Sequence, residues 1–389
     1  IQHILDNVSL ITRENLSGVR VIRAFNQQDN EQKRFESTTT KQKEEQIIAG
    51  NLSAVLNPAT TIIVNFGIIA ILYISGFKIN AGSMTQGEVI SLINYMNQIL
   101  LSMYVFANVI VILNKASASY KRCADVLSQK PDIVQGINEA PSDYQNLITY
   151  DHVSFSYYSG NALTDVSFNI LPGQTIGVIG GTGSGKTTLI NLIPRFYDVT
   201  EGEIRIKDLP IKSYKFKDLR NMIGIVPQQA TLFGGTIREN MQWGHPHATD
   251  EEIYEALELS QSKEFVDKMT KGLDTYIEQG GKNVSGGQRQ RLTIARALVK
   301  KPEILILDDS ASALDFATDA KLRKALSTLN MTVIIVSQRV SALMHADSIV
   351  VLSHGEVVGQ GTHDMLMNTC DVYQEIVMSQ MEGGQNNEE

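Results

Sequence analysis

No charged residue interrupts the chain between Glu45 and Lys78, and none interrupts it between Glu88 and Lys115. A bilayer-crossing helix needs about 20 apolar residues, and each stretch is long enough to supply them. The core of the first, Ala59 to Phe77, reads ATTIIVNFGIIAILYISGF. The join, KINAGSMTQGE from Lys78 to Glu88, is short and turn-rich, so two spans of about 55–78 and 88–112 are expected as an antiparallel hairpin. Lys41 and Lys43 lie beyond one far end, and Lys115, Lys121 and Arg122 beyond the other. The positive-inside tendency then places the join outside and the rest in the cytoplasm. A hairpin alone is a poor membrane domain, because polar groups in lipid must be satisfied within protein. Asn94, Asn97, Gln98, Tyr104 and Asn108 fall mainly on one face of the second span. Two readings of that face are open: the lining of a substrate path, or helix-to-helix hydrogen bonding.

The remaining composition bounds the partners. The net charge of −8 argues against nucleic acid, which calls for a basic face. Cys123 and Cys370 lie far apart without metal-ligand spacing, as expected of free thiols. The chain opens at Ile1 with apolar Ile4, Leu5, Val8, Ile11 and Leu16 at helical spacing, so the expectation is a fragment whose N-terminal portion is missing. Arg34 to Gln46, RFESTTTKQKEEQ, reads as a charged helical extension. Pro131 to about 146 is rich in proline, glycine and acid and reads as a linker. From about residue 147 to 389 short β-rich runs alternate with helices, the pattern of an α/β domain. The fold expected is thus a partial α-helical membrane domain (1–130) followed by an α/β phosphate-loop domain with a helical subdomain.

The segment TIGVIGGTGSGKTTLI, Thr175 to Ile190, is a strand, a glycine-rich loop and a helix start in that order. It fits G-x-x-x-x-G-K-[ST] through Gly180, Gly185, Lys186 and Thr187, with Gly181, Thr182, Gly183 and Ser184 between them and Thr188 after. Such glycines turn backbone N–H groups inward on phosphates. Lys186 adds a point charge, the Thr187 hydroxyl can ligate Mg²⁺, and the helix start supplies its positive end. EILILDD, Glu303 to Asp309, reads as a buried strand ending in carboxylates, with Asp308 placed to hold Mg²⁺ directly or through water.

NVSGGQRQRLTIARALVKKPEILILDD, Asn283 to Asp309, resembles the signature segment and following strand of ATP-binding cassette (ABC) proteins. Ser285 can cap a helix, with Gln288 three residues on in capping-box position. In that family the segment Ser285, Gly286, Gly287, Gln288 points at the γ-phosphate of ATP held by the opposite subunit. The resemblance further implies that Tyr157 stacks on adenine, with Tyr158 as the alternative. It implies that Gln228 touches Mg²⁺ and links the site to the membrane part, and that Asp315 lies in the loop crossing the dimer interface. Upstream, GVRVIRAF, the two spans and ASASYKR look like the last third of an exporter's six-helix membrane domain, whose earlier helices would be absent here. Residues near Arg13 to Phe25 fall where such exporters place a short helix that rests on the partner's nucleotide-binding domain.

Two positions depart from the family's catalytic pattern. The residue after the Mg²⁺-holding aspartate is usually Glu; here it is Asp309. Its carboxylate reaches about 1.5 Å less, while a general base must come within about 2.6–3.2 Å of its proton. The family's switch histidine is replaced by Gln338, which can donate a hydrogen bond but carries no charge. A softer departure is Gln279, where glutamate is usual. An altered catalytic pair beside an unaltered signature resembles the degenerate-site subunit of heterodimeric bacterial multidrug exporters. The resemblance therefore implies an ATPase of the plasma membrane, using ATP and Mg²⁺, partnered by a different half-transporter and moving a small amphipathic molecule. Two rivals remain open: a homodimeric exporter in which Asp309 still works, and a non-transporting ATP sensor, which the two spans count against. His245 and His247 read as a surface loop, and Trp243 as packing.

Overall fold

The structure is a computed structural model that describes residues 2–157, 160–310 and 313–385. The chain divides into two units, residues 1–130 and 131–389.

The first unit is helical throughout: α1 (Gln2–Ser17), α2 (Val19–Ala24), α3 (Gln28–Asn80) and α4 (Gln86–Leu127). Gly18 separates α1 from α2, and a Cβ there would press to 3.0 Å on the Glu14 carbonyl. Ile11 is buried, whereas Val21 and Phe25 remain exposed. Arg34 on α3 pairs with Glu14 on α1 at 3.1 Å. The stretches Pro58–Asn80 and Gln86–Leu127, of mean hydropathy 2.0 and 1.8, are each long and apolar enough to cross a membrane. They are almost wholly exposed within the chain, as side chains facing lipid or other helices must be. The helices outrun the expected spans: α3 extends 53 residues and α4 extends 42. Gln, Lys, Glu and Arg are good helix formers, so a charged flank without a breaker continues the helix past the apolar window. A capping box closes the start of α4: Thr85 and Glu88 satisfy each other's backbone N–H groups.

The second unit runs β1 (Ile148–Ser156), β2 (Asn161–Ile170), β3 (Thr175–Gly180), α5 (Lys186–Leu192), β4 (Glu201–Ile206) and β5 (Leu209–Pro210). Next come α6 (Phe216–Asn221), β6 (Ile223–Val226), β7 (Gly235–Thr236), α7 (Ile237–Gln242), α8 (Asp250–Leu259) and α9 (Lys263–Asp267). Then follow β8 (Tyr276–Ile277), α10 (Gly286–Val299), β9 (Ile304–Asp308), α11 (Phe316–Leu326) and β10 (Thr332–Val336). The chain closes with β11 (Ser348–Ser353), β12 (Glu356–Gly361), α12 (His363–Thr369) and α13 (Asp371–Gln385).

A four-stranded sheet has the order β2-β1-β4-β5 with antiparallel pairings. A six-stranded sheet has the order β12-β11-β3-β10-β9-β6, parallel except for β12. All five residues of β9 are buried, which is why it reads as a continuous apolar run rather than an alternation. One core fills the space between the sheets, including Tyr150, Leu189 and Ile306. A second holds the helical subdomain, where Ile294 and Leu298 of α10 join Ile253 and Leu257 of α8. A third seats Tyr373 and Val377 of α13 against Val340 and Leu343. Each such side chain contributes roughly 1.5–3 kcal/mol on burial.

Candidate nucleotide site

In parallel α/β sheets a ligand crevice forms beyond the carboxyl ends of the strands. Strand β10 pairs with β3 on one side and β9 on the other, with Val336 opposite both Val178 and Asp308. The loop after β3, the carboxylates after β9 and the turn after β10 therefore emerge side by side. They border an open cleft of about 290 Å³. Its lining includes Thr182, Gly183, Ser184, Gly185, Lys186, Thr187 and Thr188 from the loop and α5, with Gln228, Asp308, Asp309 and Gln338 opposite. Gly180 and Gly181 lie behind that lining and offer their carbonyls to the Lys186 ammonium, at 2.9 and 2.7 Å. Gly185 has φ +99°, and a Cβ would meet the Ala162 carbonyl at 2.7 Å. Glycine is what permits the loop to turn there.

The electrostatics are those of carboxylates taken out of water. Burial pushes the Asp308 carboxyl up, and the neighbouring Asp309 charge pushes the same way. Asp309 is also pushed up by burial, against the Arg339 charge, a hydrogen bond from Gln228 and Lys186. Burial lowers Lys186, while Asp308 and Asp309 oppose that shift. The Thr187 hydroxyl lies 3.5 Å from Asp308 Oδ2, within donating reach. Hydroxyl, carboxylate and the Gln228 amide form an all-oxygen donor set, which suits Mg²⁺. A cation among them would also relieve the crowded carboxylates.

Asp309 adopts φ +43°, a left-handed conformation that Asp tolerates better than most residues. Its N–H donates to the Val336 carbonyl at 2.9 Å, so the start of its side chain is fixed at the cleft wall. Gln338 is exposed at the rim. Tyr157 does not line the cleft. Its hydroxyl lies 3.3 Å from that of Thr188, which does. Its ring meets Phe155 and Tyr197 edge-on at 4.8 and 5.2 Å, leaving 46% of the residue exposed. Tyr158 lies outside the described residues.

The Ser285 segment stands apart from this cleft. Ser285 accepts the Gln288 N–H at 3.2 Å, and the Gln288 side chain accepts the Ser285 N–H at 3.0 Å. Ser285 and Gly286 are exposed, and Gly287 and Gln288 partly so. The neighbouring Asp315 caps α11 through the Thr318 N–H at 2.9 Å. Those bonds, from the Thr318 backbone first and its hydroxyl second, hold its carboxyl below the usual range. A single chain thus carries a phosphate cleft and, elsewhere, a preformed helix start.

The sequence profile described as "ABC transporter" matches residues 163–312, and the one described as "ABC transporter transmembrane region" matches residues 2–103. The chain belongs to the ABC transporters. Among relatives of this ABC transporter chain is the "Uncharacterized ABC transporter ATP-binding protein YfiB" of Bacillus subtilis, 40% identical over 98% of this chain and 66% of its own. Another is the "Probable multidrug resistance ABC transporter ATP-binding/permease protein YheI" of the same organism, 35% identical over 93% of this chain and 63% of its own. The chain thus spans just under two thirds of these relatives. A solved structure of a bacterial Atm1-family ABC exporter with ATP bound superposes with TM-score 0.85 and 26% identity, covering 97% of this chain and 69% of that one. The helical membrane unit followed by an α/β ABC ATPase unit is the architecture expected.

Reading the sequence missed Ala162 and Ser337, which also line the cleft. Ser337 was signalled by its place directly before Gln338; Ala162 reaches the cleft only through strand pairing. Trp243 stacks on Phe233 at 4.3 Å yet is 66% exposed. His245 and His247 are exposed in the loop after α7. Among the described residues no group of three metal-ligating side chains forms.

Proposed function

We propose that the chain is one subunit of a heterodimeric ABC exporter of the plasma membrane, its nucleotide unit cytoplasmic. It holds ATP and Mg²⁺ at a weakly hydrolysing site and lends Ser285, Gly286, Gly287 and Gln288 to the competent site of a different partner subunit. Its cargo is a small amphipathic molecule, consistent with the multidrug description that YheI bears.

The observation that carries the reading is a contrast within one chain. Asp309 and Gln338, the two departures from the family pattern, face the same cleft, while the phosphate loop and the doubly capped Ser285 segment keep their form. In this reading Lys186 and the loop N–H groups hold the phosphates. Thr187, Gln228 and Asp308 would hold Mg²⁺, which would supply positive charge at the phosphates. The Asp309 carboxylate, set one methylene too far back, accepts the proton of the attacking water poorly. Gln338 gives the γ-phosphate a neutral hydrogen bond where histidine would add charge. Tyr157 stacks on the base, and Asp315 meets the partner.

A second reading, a homodimeric exporter, draws on one observation. Asp309 does present a carboxyl to the cleft, and burial pushes it toward the range where a base works near neutrality. Turnover separates the two. The purified full chain alone is expected to hydrolyse ATP slowly, with Asp309→Asn changing little. With its partner present, the pair Asp309→Glu and Gln338→His is expected to raise hydrolysis at this chain's site by about 10²-fold. Brisk turnover by the chain alone that collapses in Asp309→Asn would assign the homodimer instead.

A further inference from the structure

Gln338 sits at the rim of the cleft, exposed. The backbone before it is tied down: Ser337 N–H donates to the Val178 carbonyl at 3.2 Å, anchoring the end of β10 to β3. The backbone after it is also tied, as Val340–Ala342 makes a tight 3-10 turn. Two peptide groups here, the Gln338 carbonyl and the Val340 N–H at the start of that turn, find their partners outside strand and turn. Both go to one side chain. Gln380 on α13 donates from Nε2 to the Gln338 carbonyl at 2.7 Å and accepts at Oε1 from the Val340 N–H at 2.9 Å.

A carboxamide suits this, since it carries a donor and an acceptor on one planar group. Length and placement also matter. Tyr373, Val377 and Gln380 lie at helical i, i+4, i+7 spacing, so one face of α13 carries all three. Tyr373 and Val377 are buried in the third core together with Val340. Burying that face brings Gln380, one turn further on, to the turn after β10.

We propose that Gln380 is a positioning residue for the nucleotide site: α13 sets the height and direction of Gln338 at the γ-phosphate by holding the backbone on either side of Arg339. The inference rests on the reading of the cleft as an ATP site with Gln338 at its γ-phosphate end. It adds that the C-terminal helix, which supplies no residue to the cleft lining, tunes how the site tells ATP from ADP.

The test is the ratio of ATP to ADP affinity, measured with Mg²⁺ on the full chain. Gln338→Ala first checks the site: it is expected to lower the ATP preference with ADP affinity unchanged. No change would sink the reading of Gln338, and this inference with it. Gln380→Met, similar in length but unable to hydrogen-bond, is expected to lower the ATP preference about fivefold, the scale of one or two net hydrogen bonds. ADP affinity should stay put. In a Gln338→Ala background Gln380→Met should add nothing, because it acts through the missing side chain. Gln380→Glu keeps the acceptor for Val340 but loses the donor; it should act in the same direction and serves if Gln380→Met fails to fold. The proposal is overturned if neither Gln380 variant changes the ratio where Gln338→Ala does. It also falls if ATP and ADP weaken equally, or if the Gln380 effect persists undiminished without the Gln338 side chain.

Discussion

At the scale of single residues, the cleft is set by where backbone and side chain have no choice. Gly185 is such a place: a Cβ would stand 2.7 Å from the Ala162 carbonyl and 2.8 Å from Leu163 Cδ2, at a φ of +99°. Because one obstacle is backbone, relaxation is costly. Gly185→Ala is therefore expected to destabilise the second unit by about 1–3 kcal/mol, read as a fall in melting temperature, and to weaken ATP binding at least tenfold. A variant with unchanged melting and unchanged affinity would show that the loop has slack the geometry denies. Much of this was legible in the sequence. The loop announced itself through glycines at fixed offsets, and β9 through an apolar run ending in two carboxylates. The choice between Tyr157 and Tyr158 was not legible, because adjacency gives both the same neighbours in sequence. In space Tyr157 meets Phe155, Tyr197 and Thr188, and Tyr158 lies outside the described residues. Gln380 was invisible too, because its partners lie about forty residues away in the chain.

At the scale of elements, α10 shows how a helix start can be both structural and functional. Ser285 satisfies an orphan N–H at the start of the helix while standing exposed. Replacing it by alanine would confound the two roles, since losing a cap costs about 1 kcal/mol by itself. Ser285→Asp separates them. Aspartate caps as well as serine, so the melting temperature should move little. Its charge would oppose an anion brought to the same helix end, so ATP-driven association with a partner subunit should be lost at low salt and partly regained at high salt. Unimpaired association would remove Ser285 from any shared phosphate site. The ends of α3 and α4 teach the opposite lesson about legibility. The uncharged windows located the candidate spans, but not the helix ends, because charged residues with strong helix propensity prolong a helix that membrane hydropathy alone would stop.

At the scale of the molecule, the three buried cores found among the described residues fall within the second unit, whereas the first exposes most of its described large apolar side chains. The second unit holds the means of its own stability. Residues 131–389 made alone are expected to be soluble, to unfold cooperatively and to bind ATP with Mg²⁺ within about tenfold of the full chain. The full chain should sediment with membranes and need detergent. Aggregation of residues 131–389, or ATP binding only in the full chain, would show that the first unit completes the nucleotide fold.

The 53 residues of α3 form a single rod of about 80 Å, and its one internal proline, Pro58, stands at the first position of the apolar stretch. A proline has no N–H, so the carbonyl it deprives of a bond is that of Ala54, one turn earlier and outside that stretch. Water at the headgroup level can satisfy that oxygen, where hydrocarbon could not. The backbone bond that Pro58 removes thus falls at the edge of the apolar stretch, and the stretch keeps its own hydrogen bonds along its length.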